Sequence, residues 1–165
     1  MKQFAHNPAD AARYYPIPYC SFWVAGTPKA TPRCKPVNRG RHAGLYTPPT
    51  ANDWKALVAI AAAPLVPAEP LDGPLVVRIT FFFPRPQRLC RKKDFSGPIP
   101  MDRKPDRDNC EKAVLDILTQ IGMWNDDSQV FDGPPRKFYH GIGARPGAHI
   151  AIFTVRIGEP AQEQQ

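Results

Sequence analysis

Twenty-one prolines run through a chain of 165 residues, and each fixes φ near −65° and removes a backbone donor. At that density they must sit in loops, strand edges and tails, so much of the chain is not helix. The hydrophobic share is still 42%, which argues against wholesale disorder. The length suits one domain able to bury a core without disulfides or a structural metal.

A formal charge of +7 and a pI near 9.4 give a positive surface at neutral pH. That makes a polyanionic partner, nucleic acid foremost, and a basic surface that is merely solvated about even readings of the charge alone. Cys20, Cys34, Cys90 and Cys110 form no C-x-x-C pair and have no histidines at zinc-finger spacing, so they read as free thiols. The N-terminus lacks an apolar run of signal-peptide length, and no segment approaches the roughly 18 apolar residues of a membrane span. The expected location is the cytoplasm, with no membrane partner.

Residues 1–18 are polar and Ala-rich without a sustained period and read as a poorly ordered N-terminal tail. The domain is expected over 19–158, with 159–165 as a C-terminal tail. A first strand begins near Tyr19. The stretch 26–49, rich in Pro, Gly and basic residues, reads as a long exposed loop. Thr50 or Asn52 can cap a helix whose apolar side carries Trp54, Leu57, Val58 and Ala61, ended by Pro64. Leu75–Phe83 is a strand with Val77, Ile79, Phe81 and Phe83 on its buried side, and residues 84–105 form a second long basic loop. "SQVFDGPPRKFYHG" and "AHIAIFTVRI" close the fold as strands. The sum is α+β, a small mixed or antiparallel sheet packed with two main helices.

Against the overall charge, nine of the fifteen acidic residues lie between Asp94 and Asp132. Asp106 and Asp108 are two apart, and in an extended segment they share a face. Two carboxylates ~5 Å apart at an effective dielectric of ~20 repel by roughly 3 kcal/mol, so the pair needs a cation or good solvation. Asp108 with Glu111 also fits a capping box opening a helix, with Val114, Ile117, Leu118 and Ile121 as its buried stripe and Gly122 as its stop. As a cap alone, Asp108 would need no function, but that leaves Asp106 and the pair Asp126 and Asp127 unexplained. A helix from Asn109 to Thr119 advances ~16 Å. The eight steps from Thr119 to Asp127 span up to ~26 Å, so three or four carboxylates can converge. All-oxygen ligands select a hard cation, and Mg2+ typically takes one or two carboxylates with waters and substrate phosphate. Lys112, one turn beyond Asp108, either pairs with Asp108 or Asp116 or steadies a scissile phosphate.

"KPDRDN", Lys112 in the helix that follows, and "WNDDSQV" resemble the RusA family of Holliday junction endonucleases. "VAGTPKATPR", "GLYTPPTANDWK" and "GPLVVRITFFFPRP" are similar to that family's opening strand, basic loop, first helix and next strand. The resemblance covers most of residues 20–157. It implies that Asp106, Asp108 and Asp127 bind catalytic Mg2+, with Mn2+ as a substitute, that Asp126 is an accessory acid, and that Lys112 is an essential cation. It also implies a homodimer nicking opposed strands of a four-way junction, a two-fold enzyme on a two-fold substrate. The chain departs from the family pattern at Arg107, where an apolar residue is usual, at Cys110, and in the enlarged loop of 84–105.

On this reading Arg33, Lys35, Arg39, Arg41, Arg91, Lys92, Lys93, Lys104 and Arg107 contact backbone phosphates, contacts that position DNA and carry little sequence information. The alternatives are a branched-DNA binder that does not cut and a metal-stabilised structural domain. A pure binder gains nothing by setting acids against phosphates.

Overall fold

The computed structural model describes residues 13–32, 35–39, 42–46 and 51–158. Its central feature is a six-stranded sheet built from β1 (Arg13–Ala25), β4 (Leu75–Phe83), β5 (Ile99–Pro100), β6 (Val130–Asp132), β7 (Arg136–Tyr139) and β8 (Gly147–Gly158). The order is β1-β8-β4-β7-β5, with β6 also paired to β4. β4 runs antiparallel to β8 and parallel to β6 and β7, so the sheet is mixed, as expected. The helices α1 (Asn52–Ala62) and α2 (Arg107–Gln120) contribute to the core on one side. Val77, Ile79, Phe81 and Phe83 of β4 and Ala148, Ile150 and Ile152 of β8 pack there with Trp54, Val58 and Ala62 of α1 and with Cys110, Ala113, Val114, Ile117 and Leu118 of α2. Alternation in the strands and helical spacing in the helices select these residues. Leu57, assigned to the α1 core from its spacing, is instead exposed.

Three segments differ from expectation, one of them the stretch 84–105, which holds the strand β5 where a continuous loop is expected. The first strand starts at Arg13, not near Tyr19. Pro16 and Pro18 are two apart and β1 is an edge strand, so both missing donors fall on the same, unpaired side of the ladder, where no partner is lost. A bulge follows between Pro18 and Cys20. Residues 1–12 and 159–165 lie outside the described residues. The stretch 26–49 contains an antiparallel hairpin, β2 (Lys35–Arg39) with β3 (His42–Tyr46); a two-stranded pair within a basic, Pro-rich run has too weak an alternation to read.

The loop of 84–105 is organised around one cation. Arg85 is buried, donating through Nε to the Leu89 carbonyl at 2.8 Å, through Nη1 to Gly97 at 3.0 Å and through Nη2 to Phe95 at 2.8 Å. A planar fork satisfied by three carbonyls can be buried without a counter-ion.

At the other end of the sheet Tyr14 of β1 packs edge-on against Phe131 and donates its hydroxyl to Asp132 of β6. That hydrogen bond, followed by the Gly133 amide, holds the Asp132 carboxyl below its usual range, and the same bond raises the Tyr14 hydroxyl. A depressed carboxyl adds stability that is complete above its unfolded pKa and is lost as pH falls through the folded one. A raised phenol adds stability that is lost as pH rises through its own folded value. The clasp therefore contributes at neutral pH and disappears in acid. Tyr14→Phe should lower the urea midpoint at neutral pH and leave it unchanged well below the carboxylate range. An equal drop at both would assign the effect to packing.

Candidate active site at the N-terminus of the second helix

Helix α2 begins two residues earlier than the capping-box reading places it. Asp106 is the N-cap, extended at φ −68° and ψ 143°, and its side chain makes no cap hydrogen bond. Asp108 is therefore in the first turn, and the pair sits on a helix end instead of one face of a strand. Lys137 of β7 supplies a reason. Its Nζ donates to the carbonyls of Arg103 and Pro105, both at 2.7 Å, fixing the chain immediately before Asp106, across the cis peptide between Lys104 and Pro105. Thr31 N donates to the Asn109 carbonyl at 3.0 Å, tying the segment after β1 to the same turn. Lys137 carries no signal in its own surroundings that sequence reading could use; only pairing with β5 and the turn before α2 gives it this role.

Asp106 and Asp108 are exposed, and neither is in a salt bridge among the described residues. Both act on the buried Cys110 thiol, which is pushed up to about 11, first by burial; Lys137 opposes and the two carboxylates add to the rise. Glu111, half-buried beside them, is raised by burial first, lowered by Arg107 and raised again by Asp108. The unpaired amides of the first helical turn add positive potential beside the two aspartates.

Lys112 leans away from Asp108. Its Nζ lies 3.6 Å from Asp116 Oδ1, while Lys55 of α1 lies 3.3 Å from Asp116 Oδ2, so of the two pairings open to Lys112 the structure contains the one with Asp116. After α2, Gly122 at φ +82° closes the helix with Gly122 N on Thr119 O and Met123 N on Leu118 O, both 3.0 Å, a Schellman stop. Asp126 then caps a short 3-10 turn over Asp127–Gln129. Its Oδ1 accepts from Ser128 N at 2.8 Å, and Gln129 Oε1 accepts from Asp126 N at 3.0 Å. The Ser128 bond also holds the Asp126 carboxyl below its usual range. Gln129 Nε2 reaches back to the Leu71 and Gly73 carbonyls.

Asp127 is exposed at the first position of that turn. Among the described residues no group of three or more His, Cys, Asp or Glu side chains is arranged to hold a metal ion. The structure thus places Asp106 and Asp108 at one helix end and does not add Asp126 or Asp127 to them in a three-acid cluster. Two carboxylates still fit Mg2+, which completes its shell with water and substrate phosphate. Arg91, Lys92, Lys93, Lys104 and Arg107 are all exposed, and Arg91 Nε is 3.4 Å from Asp94. Arg107 lines, with Glu111 and the Val130–Pro135 segment, a cleft of about 280 Å3. Arg33 and Arg41 lie outside the described residues, and Lys35 and Arg39 fall in the backbone of β2. Cys20, Cys90 and Cys110 are free thiols, and none of the helices described is long and apolar enough to cross a membrane.

The family model of the endodeoxyribonuclease RusA matches residues 25–152. The chain belongs to the RusA family of Holliday junction endodeoxyribonucleases. The match runs from the end of β1 into β8 and spans both helices, so the acids at the start of α2, the Asp126–Asp127 turn and Lys137 all fall inside the RusA region. The α+β architecture is that of a RusA-like fold. A comparison with curated proteins finds no match.

Proposed function

We propose that this RusA-family chain is a Mg2+-dependent, structure-selective endonuclease that resolves four-way DNA junctions by paired nicks, acting as a homodimer. The observation that supports it most is the Asp106 and Asp108 pair, exposed and without an ion pair among the described residues at a helix N-terminus. Mg2+ or Mn2+, when bound, supplies Lewis-acid polarisation of the phosphodiester and a more acidic attacking water. The chain's own residues do the rest. Asp106 and Asp108 hold the cation, with Asp127 as the further ligand and Asp126 as the acid that shapes its turn. Lys137 positions the turn leading into Asp106. Lys112, released from Asp116, steadies a phosphate, and Arg91, Lys92, Lys93, Lys104 and Arg107 position the backbone together with Arg33, Lys35, Arg39 and Arg41.

The test is incubation of the purified protein with a labelled synthetic four-way junction and a matched duplex, in Mg2+ or in EDTA. The expected result is cleavage of the junction in Mg2+ alone. Equal cutting of both DNAs would reduce the protein to a general nuclease. Junction binding without cutting in Mg2+ or Mn2+ would make it a binder.

A further inference from the structure

The sheet face turned away from the helices holds a larger cleft, of about 620 Å3. Thr80 of β4 lies within it, flanked in register by His149 of β8 and Arg136 of β7. Arg78, two residues before Thr80, emerges on the same face. Its guanidinium sits 4.9 Å from the centre of the Phe153 ring, a stacking that orients the plane and leaves its N–H donors for an anion. Arg78, Arg136 and His149 are exposed, and neither arginine is in a salt bridge among the described residues. The acid lining the cleft, Asp132, accepts from the Tyr14 hydroxyl and from Gly133 N at 2.7 Å. Its oxygens are thus engaged locally.

Beside this cluster runs a row of aromatic rings. Trp23 lies 5.7 Å from Phe82, and Phe82 stacks on Phe138 at 6.0 Å, joining β1, β4 and β7. The row crosses β8 at Gly147, where a Cβ would come within 2.2 Å of the Trp23 ring. Trp23 is 45% exposed.

The basic cleft and the smaller one beside α2 share Asp132, Gly133 and Pro134 as a common wall. At the middle of that wall the buried Gly133 packs its Cα against the backbone of β4. Its φ of +119° and the 2.1 Å that would separate a Cβ from the Val77 carbonyl both require glycine there. That glycine lets the shared wall lie close against β4, and a polynucleotide strand lying against Asp106 and Asp108 can pass from the smaller cleft to the larger one along it.

We propose that the open sheet face is a second DNA-contact surface. Arg78, Arg136 and His149 take backbone phosphates of the strand leaving the acidic end of α2, and the Trp23, Phe82 and Phe138 row supports unpaired bases. The proposal rests on the nuclease reading for its strand path and on this face alone for its chemistry. Charge favours DNA here over a second copy of the chain, because two such faces in contact would set arginine clusters against each other.

The test compares the wild-type protein with Arg78→Ala/Arg136→Ala, and with Arg136→Gln as a milder second variant, binding a labelled four-way junction and a single-stranded oligonucleotide in EDTA. The double variant should bind at least about 10-fold more weakly at moderate salt, with a slope of log K against log salt shallower by between about one and two units. The chain has three tryptophans, and Trp54 and Trp124 are each 1% exposed, so quenching by the oligonucleotide reports Trp23 and should vanish in Trp23→Phe. Unchanged affinity and salt slope in both arginine variants would overturn the proposal. So would a shift in sedimentation from dimer to monomer with DNA affinity and salt slope unchanged, which would make this face the self-association surface. Wild-type protein that binds through these residues but never cuts in Mg2+ would defeat the nuclease reading and leave this one standing.

Discussion

Asp108→Asn should reduce junction cleavage by more than the roughly 10- to 100-fold typical of losing a supporting residue around a metal, while junction binding in EDTA stays equal or tightens. Asparagine keeps the shape of the side chain and removes a negative charge that would face DNA phosphate. Asp108 is exposed in the first turn of α2, where a carboxylate contributes only about 0.3–1 kcal/mol to the helix, so the fold should survive with a small drop in melting temperature. Single-turnover product formation and fluorescence anisotropy separate the two effects. Parallel loss of cleavage and binding would remove Asp108 from the chemistry. The same pair of measurements on Asp127→Asn addresses the residue that the described structure leaves outside a three-acid cluster. Cleavage lost with binding retained makes it a ligand; full activity assigns the cation to Asp106, Asp108 and water.

The largest effect on stability is expected at Trp124, which joins the core to the turn carrying Asp126 and Asp127. It is fully buried, and its Nε1 donates at 2.7 Å to the Thr119 hydroxyl, which itself donates to the Leu115 carbonyl at 2.9 Å. Trp124 also bridges Leu71, whose amide bonds the Met123 carbonyl at 3.0 Å. Trp124→Ala should cost about 3–5 kcal/mol from lost burial plus the cavity, read as a fall in urea midpoint. Trp124→Phe keeps most of the ring and loses the hydrogen bond, so it should cost about 1 kcal/mol more than the lost ring volume alone. A Trp124→Ala loss below about 1 kcal/mol would mean the side chain is not in the core.

The strands with strong alternation are legible from the residues themselves: the β-branched and aromatic run marks β4 from end to end, and alternating faces mark β8. Strand β1 was half legible, because its prolines look like breakers until the sheet places them on an edge. In α2 the stripe of Val114, Ile117 and Leu118 and the stop at Gly122 follow from the sequence. The start of the helix does not: two acids two residues apart both look like caps, and contacts from Lys137, more than thirty residues away, decide between them.

By itself the chain's sequence determined which residue types carry its chemistry, since acids gathered in a basic, proline-rich protein call for a cation and suit a polyanion. It determined too the apolar spacing that puts those acids at the end of a buried helix, because burial depends on periodicity, which is local. Only the tertiary structure decided that Asp106 and Asp108 share a helix end, that Lys112 turns to Asp116, that Asp126 serves as a cap, and that Arg78, Arg136 and His149 gather on one open face. Those outcomes depend on side chains from distant strands meeting in space, and strand register, which brings them together, is set by the packing of the whole sheet.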